Sequence, residues 1–241
     1  MRATGPNINK DFGGFDRPRA LFSSLPVGLD AFFDSCVFFD DFVGSVFNAT
    51  DTWAVVKDAS AAVAFGTDLE NGAVVLTSAA TTDNDGASIQ TTQNAFLVKS
   101  GKKLWFEARV KVSDADQCDM FIGLAENHAT NPENAVAAGC ARVGFELVDG
   151  SALIRTSIDD NTTSTVTALT SSMSDDTYVK LGFRTDGASV RFYVNRALVA
   201  TSSIPSAIAA ITLGPTFFNL SGDAVGTHTA TCDYIAVAQE R

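Results

Sequence analysis

Tandem hairpins between Thr177 and Ser202 constrain this chain more than any other stretch. In TYVKLGFRTDGASVRFYVNRALVATSS, Val179, Leu181 and Phe183 share one side while Tyr178, Lys180 and Arg184 share the other. After the turn Asp186-Gly187, Val190, Phe192 and Val194 alternate with Arg191 and Tyr193, and a tight turn follows at Asn195-Arg196. Period-two alternation between turns that tolerate positive φ predicts antiparallel strands with one buried face. Such strands fix an architecture and carry no chemistry of their own.

The pattern extends from Cys36 to the C-terminus. It predicts strands over 37–42, 53–57, 61–65, 73–77, 88–91, 95–98, 103–112, 119–125, 141–148, 152–157 and 164–168, then the hairpins, then 211–219 and 227–239. In LWFEARVKV, Leu104, Phe106, Ala108, Val110 and Val112 oppose Trp105, Glu107, Arg109 and Lys111. Asp149-Gly150 reads as another hairpin turn, and only 131–138 and 205–210 offer short helices. No fixed-period repeat suggests a propeller or solenoid. So many short strands, with turns about every 8–12 residues, predict an all-β, two-sheet antiparallel jelly-roll sandwich over 36–241.

Residues 1–35 differ. They hold three of the six prolines, four glycines and five phenylalanines without sustained period, which predicts an extended N-terminal arm. Disordered linkers are poor in aromatics, so Phe12, Phe15, Leu21, Phe22, Phe32 and Phe33 are expected to dock on a partner surface.

Composition narrows the function. A net charge of −11 repels phosphate backbones and argues against nucleic acid. Every apolar run is interrupted short of a membrane span, so no membrane partner is expected. Lys10, Arg17 and Arg19 come late, and Pro26 and Asp30 cut the apolar segment after them, which argues against a secretion signal. Cys36, Cys118, Cys140 and Cys232 are too scattered for a disulfide scaffold, and free buried thiols are favoured over a Cys36–Cys232 bridge. His128 and His228 lack metal-ligand partners at useful spacing, and Asp83-Asn84-Asp85-Gly86 reads as a turn rather than a calcium loop. No metal or other cofactor is therefore expected. The Asn-x-Ser/Thr sites at Asn48, Asn161 and Asn219 read as chance occurrences, and Trp53 and Trp105 could line a sugar platform.

The order LWFEARVKVSD, MFIGLAE, ARVGFELVDG, YVKLGFRTDGASVRFYVNRALVAT and CDYIAVAQER resembles the concanavalin A-like jelly roll, which includes lectins and laminarinase-type glycoside hydrolases. Asp233-Tyr234-Ile235-Ala236-Val237 resembles the closing strand of the laminarinase-type group. Those enzymes carry their working carboxylates as Glu-x-Asp-x-x-Glu on one strand. None of Glu70, Glu107, Glu126, Glu133, Glu146 and Glu240 stands in that spacing. Glu107 and Glu146 could be neighbours across the sheets, but each sits on the polar side of its strand and reads as solvated surface. No catalytic residue is assigned on this basis.

An acidic jelly roll behind an aromatic arm also resembles, in build, capsid decoration (cement) proteins of tailed bacteriophages. This implies a non-enzymatic virion structural protein, assembled in the host cytoplasm, docked on capsid or other virion proteins through its arm. It would be homo-oligomeric, with a trimer favoured. The alternatives are a lectin-like carbohydrate-binding module taking a glycan, and an unusual glycosidase using Glu107 or Glu146.

Overall fold

Leu104, Phe106, Ala108, Val110 and Val112 are fully buried, and their neighbours along the same strand face the opposite way. The alternation seen in the sequence is thus the alternation of the sandwich. The computed structural model describes residues 35–44, 51–66, 72–78, 83–127, 140–223 and 226–241.

Two antiparallel sheets of eight strands each build the fold. The first holds β1 (Ser35–Asp40), β3 (Ala62–Phe65), β4 (Val74–Thr77), β7 (Leu104–Val112), β12 (Val179–Thr185), β13 (Ser189–Val194), β14 (Ala197–Ser203) and β16 (Thr229–Glu240). The second holds β2 (Trp53–Lys57), β5 (Gly86–Thr91), β6 (Phe96–Leu97), β8 (Cys118–Ala125), β9 (Arg142–Val148), β10 (Ser151–Asp159), β11 (Ser164–Ser172) and β15 (Thr212–Ser221). The order is β14-β13-β12-β7-β16-β4-β3 in the first sheet, with β1 also on β16, and β11-β10-β9-β8-β15-β5-β2 in the second, with β6 also on β15. This is the expected jelly-roll sandwich, with strand ends shifted by at most four residues. The helix expected at 205–210 is a short 3-10 turn, Ser206–Ala210. The one expected at 131–138 lies outside the described residues, as do Phe12, Phe15, Leu21, Phe22, Phe32 and Phe33.

The hairpin turns have the backbone their residues imply. Gly187 has φ 84°, Asn195 49° and Arg196 66°, and a side chain at Gly187 would run into the backbone of Lys99 and Ser100. In the core, Phe106 stacks on its cross-strand partner Phe183 within the first sheet at 5.0 Å, and Phe145 of the second sheet meets Phe192 of the first edge-on at 5.3 Å. Such rings bury large areas and anchor the two layers.

Candidate functional site

The second sheet is unusual on the side facing away from this core. Ile122, Val143, Phe145, Leu147, Phe217 and Ile89 point into the sandwich. Their strand neighbours therefore point outward, and several are apolar: Phe121, Ala125, Phe218 and Leu220 form a second buried cluster with Cys140. Pairing register arranges this outer face in rows. Ser88, Phe218, Phe121, Glu146 and Arg155 are successive partners across β5, β15, β8, β9 and β10. The next row runs Gln90, Thr216, Gly123, Gly144 and Ser157.

Phe121 and Phe218 stack with centroids 6.0 Å apart and planes at 16°. The glycine pair beside them is required by space. A Cβ at Gly123 would lie 2.4 Å from the Val143 carbonyl, and one at Gly144 would lie 2.5 Å from that of Ile122. The Phe121 ring fills the shelf the two glycines leave, 3.1 and 2.9 Å from those same points.

Three carboxylates occupy this face. Asp159 pairs with Arg142 at 3.4 Å, both buried, and Arg142 Nε donates to Ser157 Oγ at 2.8 Å. Glu146 retains 7 % of its surface. Burial is the main influence on its carboxyl and raises its pKa, against the opposing pull of Arg142, a hydrogen bond with Ser157, and Arg155. Asp119, on β8 two residues before Phe121, is also shifted upward. Burial again leads there, and the charges of Asp149, Asp83 and Glu146 add to it against a hydrogen bond from the Asp149 N–H. A carboxyl that holds its proton more tightly than usual is what proton donation to a leaving oxygen requires.

The other sequence candidates resolve differently. Glu107 is neither solvated nor near Glu146. It points out of the first sheet, is buried, and accepts from Arg196 Nε at 3.0 Å, Arg196 Nη2 at 2.9 Å and Tyr234 Oη at 2.6 Å. The polar alternation that suggested a wet surface is satisfied instead by a buried carboxylate held in a bidentate pair with an exposed guanidinium. Trp53 and Trp105 form no open platform. Both are buried, and Trp53 Nε1 donates to Asp40 at 2.8 Å. His228 is buried with its ring 3.0 Å from Asp223, while His128 lies outside the described residues. Asn219 is fully buried and donates to the carbonyls of Leu76 and His228, so no glycan could reach it. Cys36 faces Gln239 of β16 while Cys232, seven residues earlier on that strand, faces Val74 of β4, and all four cysteines are free. Among the described residues no cluster of three or more His, Cys, Asp or Glu is arranged to hold a metal.

Asp119 carries no signal in the sequence, and Glu146 reads there as solvated surface, because GFELV and CDMFIGLA alternate as ordinary half-buried strands do. Register places Phe121, Ala125, Arg142 and Glu146 on one outward side of β8 and β9, and their burial shows that this side is shielded from water too.

No family model and no curated protein matches the chain. Solved structures do. An endo-1,3-beta-glucanase from Streptomyces sioyaensis superposes with a TM-score of 0.59 at 15% identity, over 90% of this chain and 99% of that one. A glycoside hydrolase family 16 endo-glucanase from Bacteroides ovatus gives 0.59 at 15% identity, over 83% and 99%. A Bacteroides ovatus family 16 protein of a mixed-linkage glucan locus, in complex with a product, gives 0.57 at 16% identity, over 83% and 99%. The chain therefore has the concanavalin A-like jelly-roll fold. These neighbours overturn the reading as a non-enzymatic bacteriophage capsid decoration protein, because the proteins that share the build are carbohydrate-cleaving enzymes. That reading rested on the arm, which lies outside the described residues, and on a fold that serves many functions.

Proposed function

We propose that the chain is a carbohydrate-active protein that binds a β-glucan-type polysaccharide against the outer face of its second sheet, with Glu146 as proton donor to the glycosidic oxygen. The observation that carries this reading is Glu146 itself. It is a buried carboxyl with a raised pKa, one residue along its row from the stacked Phe121–Phe218 pair. Glycosidic cleavage calls for one carboxyl kept protonated and a second that acts as base or nucleophile. The neighbours' names supply the substrate class: endo-1,3-beta-glucanase and mixed-linkage glucan.

The outward residues of β9 are Arg142, Gly144 and Glu146, so one strand does not provide both carboxyls. Asp119 on the adjacent β8 shares the face and is the candidate for the second, acting as base or nucleophile at a pH above its raised pKa, where it is ionised. Phe121, Phe218, Ser88, Gln90 and Thr216 beside the acids are uncharged, which suits a neutral sugar chain, but all are buried, so binding here requires this face to open.

The test uses soluble 1,3-β-glucan and mixed-linkage glucan. Calorimetric titration reads binding and a reducing-end assay reads cleavage. Wild type should bind and cleave at least one of them, Glu146→Gln should bind without cleaving, and Asp119→Asn should lose most turnover. Absence of both binding and cleavage with both glucans would overturn the proposal.

A further inference from the structure

The side of the sandwich formed by β11 and β14 carries an interaction surface. β11 ends the second sheet and β14 ends the first. β12 packs on β9 across the core, so the two ends lie on the same side of the molecule. Residues 164–168 of β11 are all exposed, and they follow β10 in unbroken register from Ser164 opposite Asp159 to Ala168 opposite Arg155. Among the described residues nothing pairs with the outer edge of that stretch.

Open edges of this kind are ordinarily blunted by Lys, by Pro or by an inward charge, since a free row of N–H and C=O groups is a template for another strand. Here that protection is missing. Residues 161–174, NTTSTVTALTSSMS, contain no ionisable group and no proline, and neither does ALVATSS of β14. Val166, Leu153 and Leu198 add exposed apolar surface on the same side. The chain as a whole carries −11, so two copies repel over most orientations. This strip sets no like charges against each other when two copies meet along it.

We propose that β11 pairs antiparallel with β11 of a second copy about a two-fold axis near Val166, joining the two second sheets into one. Such an isologous contact closes at two copies. It places Val166 opposite its equivalent and makes the outer faces that carry Glu146 continuous across the dimer. The proposal does not depend on what those faces bind.

Sedimentation equilibrium of the full chain over a micromolar concentration series tests it. The expected result is a mass of twice 25.3 kDa at the upper end. Val166→Lys, which sets like charges against each other across the axis, should weaken association by about tenfold or more. Val43→Lys, at an exposed site beyond β1, should leave association unchanged. In a Cys36→Ser background, Val166→Cys should give a disulfide-linked dimer on mild oxidation. A mass of 25.3 kDa throughout the series overturns the proposal, as does a dimer that survives Val166→Lys or fails to cross-link through position 166. The last two outcomes would point to a different surface or occupant.

Discussion

Glu107 and Glu146 project from opposite outer faces of the sandwich, with both layers of the core between them. Sheets pack about 10 Å apart and each side chain points away from the other sheet, so the two carboxyls cannot flank one bond. Both are buried, yet their surroundings assign them different work. Glu107 is matched by a guanidinium and a phenol, whereas Glu146 is left with a raised pKa.

Glu107→Ala should therefore cost stability and leave glucan binding intact. The change strips three hydrogen bonds from Arg196 and Tyr234. Arg196 is more than half exposed and recovers much of its loss in water. The buried side of the arrangement is not recovered, which puts the cost at about 2 kcal/mol. Urea midpoints check the stability, and calorimetric titration checks the binding. A variant that folds as stably as wild type would show that the pair contributes nothing.

The pH dependence of stability isolates Glu146. Its pKa is higher folded than unfolded, so the native state binds more protons between the two values. Stability then falls as pH rises from the ordinary glutamate range through the raised value, and below that range the penalty is absent. Glu146→Gln removes this slope. Difference curves of unfolding free energy against pH should show the variant gaining on wild type as pH increases, and parallel curves would contradict the assignment.

Gly144→Ala probes the shelf under Phe121. The new methyl would sit 2.5 Å from the Ile122 carbonyl and 2.9 Å from the Phe121 ring. Neither backbone strand can yield within a paired sheet, so a loss of about 2–3 kcal/mol is expected. Ala substitution at Gly150, where nothing lies within 4 Å, meets no such obstruction, although its φ of 73° still disfavours a side chain. Thermal unfolding of both variants separates crowding from backbone conformation. Equal losses would mean that the close approach at Gly144 is relieved cheaply.

The residues that made the fold legible are those whose burial and periodicity agree. Leu104 to Val112 and the hairpins through Asp186-Gly187 and Asn195-Arg196 need no tertiary information, because side-chain alternation and positive-φ turns are local. The site was opaque for a related reason. Arg142, Glu146, Glu107, Trp105 and Tyr193 occupy outward positions that the pattern assigns to water, and all five are buried. Burial of a sheet's outward side chains leaves no signature along a single strand. The coupling of Asp119 to Glu146 depends on the pairing of β8 with β9, which sequence spacing does not encode.

Thiol reactivity gives an independent reading of that outer layer. Burial pushes the Cys118 and Cys140 thiols up to about 12 and raises Cys232 as well, while Cys36 on β1 is partly exposed. The thiolate is the reactive form, so at neutral pH a disulfide reagent should titrate Cys36 quickly and the other three only on unfolding. Cys140 is the informative position, because it belongs to the cluster with Phe121 and Phe218 rather than to the central core. If the outer layer is as well packed as the core, Cys140 and Cys118 will be protected to the same degree in the native state. Mass spectrometry of the labelled sites resolves each cysteine. Rapid labelling at Cys140 with Cys118 still protected would show that the face carrying Glu146 opens to solvent without unfolding of the sandwich.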